Sequence, residues 1–100
     1  MKIIWTEKAV DSMDEILQYL TEYFGLAVSL SFYSQCMEVV ESIHTYNDIG
    51  KRLEAKPVYR YFIIGKHTTL YYSIRSGAVY LHYFFNNRSN PESLRKMLDF

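Results

Sequence analysis

The apolar pattern of this chain changes period once, near its middle, and that change limits the folds open to it. Up to residue 46 the apolar side chains recur every three or four positions. From residue 58 to 85 they come in three short runs rich in aromatic and β-branched residues. The first period belongs to helices buried along a stripe, and short runs between turn residues belong to strands. The chain is therefore read as α+β, with one early strand, two helices, and the remaining strands after them.

The first strand is the run Lys2-Ile3-Ile4-Trp5. Thr6 is a suitable N-cap and Glu7 suits the positive end of a helix dipole. Val10, Met13, Ile16, Leu17, Leu20 and Phe24 then form one face, with Asp11, Asp14, Glu15, Gln18 and Glu22 on the other. About 18 residues of helix span roughly 27 Å, and Gly25 ends it as a glycine after a helix does. A second helix is predicted from about Leu26 to Tyr46. Leu30, Tyr33, Met37, Val40 and His44 make one stripe, and Phe32, Cys36, Val39, Ile43 and Tyr46 the next. The short link makes the pair an antiparallel hairpin, and the width of its apolar face permits a homodimer.

Asn47-Asp48-Ile49-Gly50 breaks the pattern, and residues 51–57 read as a basic connector. Strands at 58–64, 68–75 and 78–85 are separated by Gly65-Lys66, Ser76-Gly77 and then Asn86-Asn87, the signature of an antiparallel meander. Asn90-Pro91 opens a last short helix through Leu94 and Leu98. The predicted order is β-α-α-β-β-β-α, a helical hairpin packed on one face of a small antiparallel sheet, the other face open or partly closed by the tail helix.

One hundred residues make a single domain, spanning 1–100. No apolar run approaches the roughly 18 residues of a membrane span, and the start carries no secretory pattern. The one cysteine, Cys36, leaves no internal disulfide and falls in an apolar stripe, so it reads as a packed thiol. A cytoplasmic protein without membrane contact is expected. Cys36 with His44, His67 and His82 gives no zinc-type spacing, and no Gly-rich phosphate loop is present; neither metal nor cofactor is expected.

Charge is more informative. The formal net charge is zero, but residues 1–50 hold eight acidic and two basic residues while residues 51–100 hold three and nine. The basic half also holds nine aromatics between positions 59 and 85, interleaved with Arg60, Lys66, His67 and Arg75, with Arg88 just beyond. Such a surface suits a polyanion with stackable bases and equally an acidic protein segment.

In their order and spacing these pieces resemble the RelE/ParE superfamily of toxins from type II toxin–antitoxin modules. Lys2-Ile3-Ile4-Trp5-Thr6 is similar to its first strand and helix start. Tyr59-Arg60-Tyr61-Phe62-Ile63-Ile64-Gly65-Lys66-His67 and Leu70-Tyr71-Tyr72-Ser73-Ile74 resemble its central sheet. Phe85-Asn86-Asn87-Arg88-Ser89-Asn90-Pro91 is similar to the Phe-x-x-Arg-x-Asn-Pro ending of ParE-like members. The resemblance implies a cognate antitoxin, whose acidic and apolar segment folds on binding. It offers two activities: inhibition of DNA gyrase in ParE-like members, and metal-independent cleavage of mRNA on the ribosome in RelE-like members.

Arg60 and Arg88 match basic positions of the family, but Thr69, Phe62 and Leu94 stand where the nucleases carry two basic residues and a tyrosine. Cleavage through a 2′-OH needs groups to take and give a proton, and an arginine stays protonated. Arg60, His82 and Arg88 are the candidates should the chain be a nuclease. The ParE-like reading is preferred, with growth inhibition probed through Arg60, Lys66, His67, Tyr72, Arg75 and Arg88 as target or antitoxin contacts. The alternatives are the RelE-like endonuclease and a degenerate, non-toxic interaction protein.

Overall fold

A computed structural model describes residues 1–88 and 91–98. Its elements are β1 (Lys2–Trp5), α1 (Glu7–Phe24), α2 (Leu26–Thr45), β2 (Lys51–Arg52), β3 (Tyr59–Ile64), β4 (Thr68–Arg75), β5 (Ala78–Asn86) and α3 (Pro91–Met97). Asn90, expected to open the last helix, and Ser89 of the ending motif lie outside the described residues. The five strands form one sheet in the order β1-β5-β4-β3-β2. The meander β3-β4-β5 is antiparallel as expected. The sheet as a whole is mixed, because β1 runs parallel to β5 at one edge. Two residues of the basic connector form β2 at the other edge, with Lys51 opposite Tyr61 and Arg52 opposite Arg60. No helix among the described residues is long and apolar enough to cross a membrane.

Two hydroxyls of the first helix join it to β5. Thr6 accepts the Ala9 amide at 3.2 Å as N-cap and donates to the Leu81 carbonyl at 2.7 Å. A threonine there thus starts the helix and fixes it to the sheet. β1 ends opposite Leu81, so beyond that point β5 has no strand partner on this side. Ser12 takes over the role, accepting the Phe84 amide at 3.0 Å.

The main core lies between hairpin and sheet. Ala9, Met13, Cys36, Val40 and Ile43 pack against Ile64, Leu70, Tyr72, Val79, Leu81 and Phe84. Cys36 is fully buried, and burial pushes its thiol pKa up to about 12. That makes it an inert packing group. A smaller core occupies the opposite face, where Leu94 and Leu98 at the tail cover Tyr71 and Phe85. The tail is also tied through Lys56, whose ammonium donates to the Leu98 carbonyl at 2.9 Å.

The predicted packing face of α2 is only partly used. Its second half buries Cys36, Val40 and Ile43, but Leu30 is 58% and Tyr33 43% exposed, and His44 also faces solvent. From Thr21 to Leu30 only Ser29 is buried. The linked end of the hairpin therefore lies outside the core.

Candidate partner-binding surface

The sequence-predicted contact residues separate into four places. Arg60 and Tyr72 face each other across β3 and β4 on the hairpin side of the sheet. The Tyr72 hydroxyl donates to the Asn47 carbonyl and accepts the Gly50 amide, both at 2.8 Å. Arg60 Nη1 donates to the Gly50 carbonyl at 2.8 Å and to the Asp48 carbonyl at 3.2 Å. Together they hold the turn between α2 and β2. Burial raises the Tyr72 pKa, so the phenol stays neutral. Tyr72 has no exposed surface, which corrects its expected role as a contact. It positions a turn, and Arg60, half-buried, is largely spent on the same turn.

Lys66, His67 and Arg88 are brought to one end of the sheet. The register that sets Thr68 opposite Asn86 carries the β3–β4 turn alongside the chain leaving β5. The Asn87 amide donates to the His67 carbonyl at 2.6 Å, and Thr69 Oγ1 donates to Asn87 Oδ1 at 2.8 Å. Asn86 Oδ1 accepts the Arg88 amide at 3.0 Å. Arg88 Nη2 then lies 2.8 Å from His67 Nε2. A guanidinium only donates, so Nε2 is the acceptor and the imidazole is neutral in this pair. All three side chains are exposed. The cluster can present two permanent charges and an imidazole to a carboxylate or phosphate.

Arg75 stands at the far end of the eight-residue β4, about 24 Å away by strand rise, with its guanidinium over the Tyr80 ring at 5.2 Å. It belongs to a separate surface.

His82 occupies a bulge. Tyr71 pairs with Tyr83 and Tyr72 with Leu81, leaving His82 as the extra residue. It lies on the face away from the hairpin, with Nε2 2.7 Å from Ser73 Oγ and its ring edge-on to Tyr59 at 5.0 Å. Burial, and then the charges of Arg75 and Lys8, lower its pKa to about 4. It is neutral at pH 7. Arg88 lies beyond the end of β5, six residues along the chain, and Arg60 is bound on the other face. The structure does not assemble Arg60, His82 and Arg88 into one site.

Sequence reading missed one part of this surface. Lys51, Arg52, Leu53, Glu54, Tyr61, Ile63, Thr69 and Tyr71 line a shallow depression of about 490 Å³, so two basic residues and one carboxylate meet there. Two residues are too few to show strand alternation, so Lys51 and Arg52 read as connector. The doublet of basic residues directly after Gly50 was the available signal. The acidic residues Glu7, Asp11, Asp14, Glu15, Glu22, Glu38 and Glu41 are all exposed on the hairpin. Most of the charge division in the sequence is thus a division between hairpin and sheet, with Lys8 and Glu54 as exceptions.

No family model matches this chain, and no curated protein does. A solved structure does: a chain of the chromosomal ParDE TA (toxin–antitoxin) system from P. aeruginosa superposes with a TM-score of 0.75. The similarity covers 86% of this chain and 95% of that one at 17% sequence identity. At that identity the likeness is one of fold.

Proposed function

We propose that this chain is the toxin of a toxin–antitoxin pair, of the ParE-like kind, and that it acts in the cytoplasm on DNA gyrase. The fold likeness to a ParDE chain supports the first part. The choice of gyrase over mRNA rests on the fate of the three departures. Phe62 packs into the core under the hairpin, and Leu94 packs on the second core. Thr69 is 4% exposed, and its hydroxyl is spent on Asn87. At all three departures the residue present here is structural. Arg60, His82 and Arg88 do not converge to replace them.

The antitoxin partner is an acidic and apolar segment that orders on binding. Its carboxylates meet Lys66, His67 and Arg88, and its apolar side chains meet Tyr61 and Ile63 beside Lys51 and Arg52. Truncating one partner of a charge pair that the interface buries and hydrogen-bonds costs about 2 kcal/mol or more. Arg88→Ala is therefore expected to weaken antitoxin binding or gyrase inhibition at least ~tenfold. Purified chain incubated with gyrase and DNA is expected to accumulate cleavage complexes, fewer with Arg88→Ala. Codon-positioned cuts in mRNA on translating ribosomes, with gyrase unaffected, would assign the chain to the nucleases instead.

A further inference from the structure

We propose that the sheet face away from the hairpin, at its Arg75 end, binds single-stranded nucleic acid, with bases on a strip of rings and phosphates on the cations beside it. Arg75 stands at the end of β4 opposite to the Lys66, His67 and Arg88 cluster. Tyr59, Ser73 and Tyr80 form one row across β3, β4 and β5. The bulge brings a further ring into that row: the His82 imidazole lies edge-on to Tyr59 at 5.0 Å and stacked with Tyr80 at 6.5 Å. A cation closes each end. Lys56 Nζ is 5.6 Å from the Tyr59 ring centre, and the Arg75 guanidinium is 5.2 Å from that of Tyr80. Tyr59, Tyr80 and His82 are half-buried, so each ring keeps surface toward solvent.

The chemistry of the strip selects a nucleic acid over an acidic peptide. From Ala55 to Pro91 the chain carries no Asp or Glu. The charges that bear on the His82 ring, those of Arg75 and Lys8, are both positive. Lys8 and Arg75 are exposed and have no ion-pair partner among the described residues. Positive charge without carboxylates beside it attracts an anion. The middle of the strip is uncharged, because His82 Nε2 is engaged with Ser73 Oγ at 2.7 Å and the ring is neutral. A peptide carboxylate set there would meet two phenols and a neutral imidazole. A base of any identity stacks on such rings or on a guanidinium plane, while its phosphates reach the cations at the margin. Peptides that bind sheets add to an edge, whereas this row runs through paired strands, with Tyr80 between Ile4 and Ser73. The strip includes none of Arg60, Phe62, Thr69, Arg88 and Leu94, so it is separate from the positions that decide between the two activities.

Fluorescence anisotropy of labelled oligonucleotides of about twelve residues, RNA and DNA, titrated with the purified full chain tests the proposal. Half-saturation is expected on the order of 10 μM at low salt, with a logarithmic salt slope of about −1.4 for two phosphate contacts. Binding of either strand supports the proposal, and the tighter of the two shows whether the 2′-hydroxyl is read. Tyr80→Leu, which keeps apolar bulk but no ring, is expected to weaken binding at least about fivefold. Arg75→Gln, at an exposed side chain, is expected to make the salt slope shallower by about 0.7. Arg88→Ala, at the other end of the sheet, is expected to change the affinity less than about twofold. Circular dichroism shows that each variant is folded. Three results overturn the proposal: no binding at roughly 200 μM chain, an equally tight complex with a glutamate peptide of the same length, or a loss in Arg88→Ala as large as in folded Tyr80→Leu. None of them bears on gyrase, which is read from cleavage complexes.

Discussion

Gly50→Ala is expected to lower the unfolding free energy by about 3 kcal/mol or more, combining overpacking with lost buried hydrogen bonds. A Cβ at residue 50 falls 2.6 Å from both Cε1 and the hydroxyl oxygen of Tyr72, and 2.9 Å from the Tyr61 carbonyl. Neither neighbour can give way. Tyr61 presents backbone in β3, and the Tyr72 ring is fully buried with its hydroxyl bonded to both Asn47 and Gly50. Accommodating one methyl group therefore means breaking the turn that Tyr72 and Arg60 hold. Because the turn leads straight into Lys51 and Arg52, the edge of the depression shifts with it. Urea unfolding of the two proteins measures the difference; a loss below about 1 kcal/mol would mean that the turn is held loosely.

Acidification is expected to remove about 1–2 kcal/mol of stability through His82. The neutral imidazole is favoured in the fold, since its pKa is lowered from 6.5 to about 4 by burial and by Arg75 and Lys8. The unfolded chain binds the proton near pH 6.5, and the folded chain only near pH 4. Stability from this group is complete above pH 6.5 and declines as the pH falls toward 4. The full shift corresponds to about 3 kcal/mol, which the partial solvent access of the ring reduces. Urea midpoints at pH 7 and 4.5 are expected to lie closer together in His82→Gln than in the wild type. Equal pH dependence in both would show that the ring is better solvated than its contacts with Ser73 and Tyr59 imply.

The sequence exposes local order well and distant pairing poorly. Both helices were legible from their period and from Thr6 and Gly25, and the meander from its turns. Partners distant in the chain left no mark. Lys2-Ile3-Ile4-Trp5 reads as a strand, but nothing in it says that it will lie parallel to β5. Strict alternation along β5 would set His82 and Phe84 together on the face opposite Val79 and Leu81. The bulge at His82 returns Phe84 to the hairpin core, while Tyr83 joins the other face. Tyr71 and Tyr72 are adjacent and chemically alike, and only the register decides that Tyr72 enters the main core. The basic cluster was legible as a list of residues. Its grouping of Lys66, His67 and Arg88, with Arg75 at the opposite end, follows from the pairing of β4 with β5.

The charge division of the sequence survives into the fold. It puts an acidic exterior on the hairpin and a basic, aromatic surface at one end of the sheet, where Arg88 meets His67. On this account the basic surface is what an antitoxin covers, and the chain alone is harmful. Controlled expression of the chain by itself in a bacterial host tests that most directly. Growth is expected to stop within a few generations of induction, and to continue when the chain carries Arg88→Ala at the same soluble level. Unchanged growth with the wild-type chain folded and abundant would contradict the account and leave an interaction protein of the same fold.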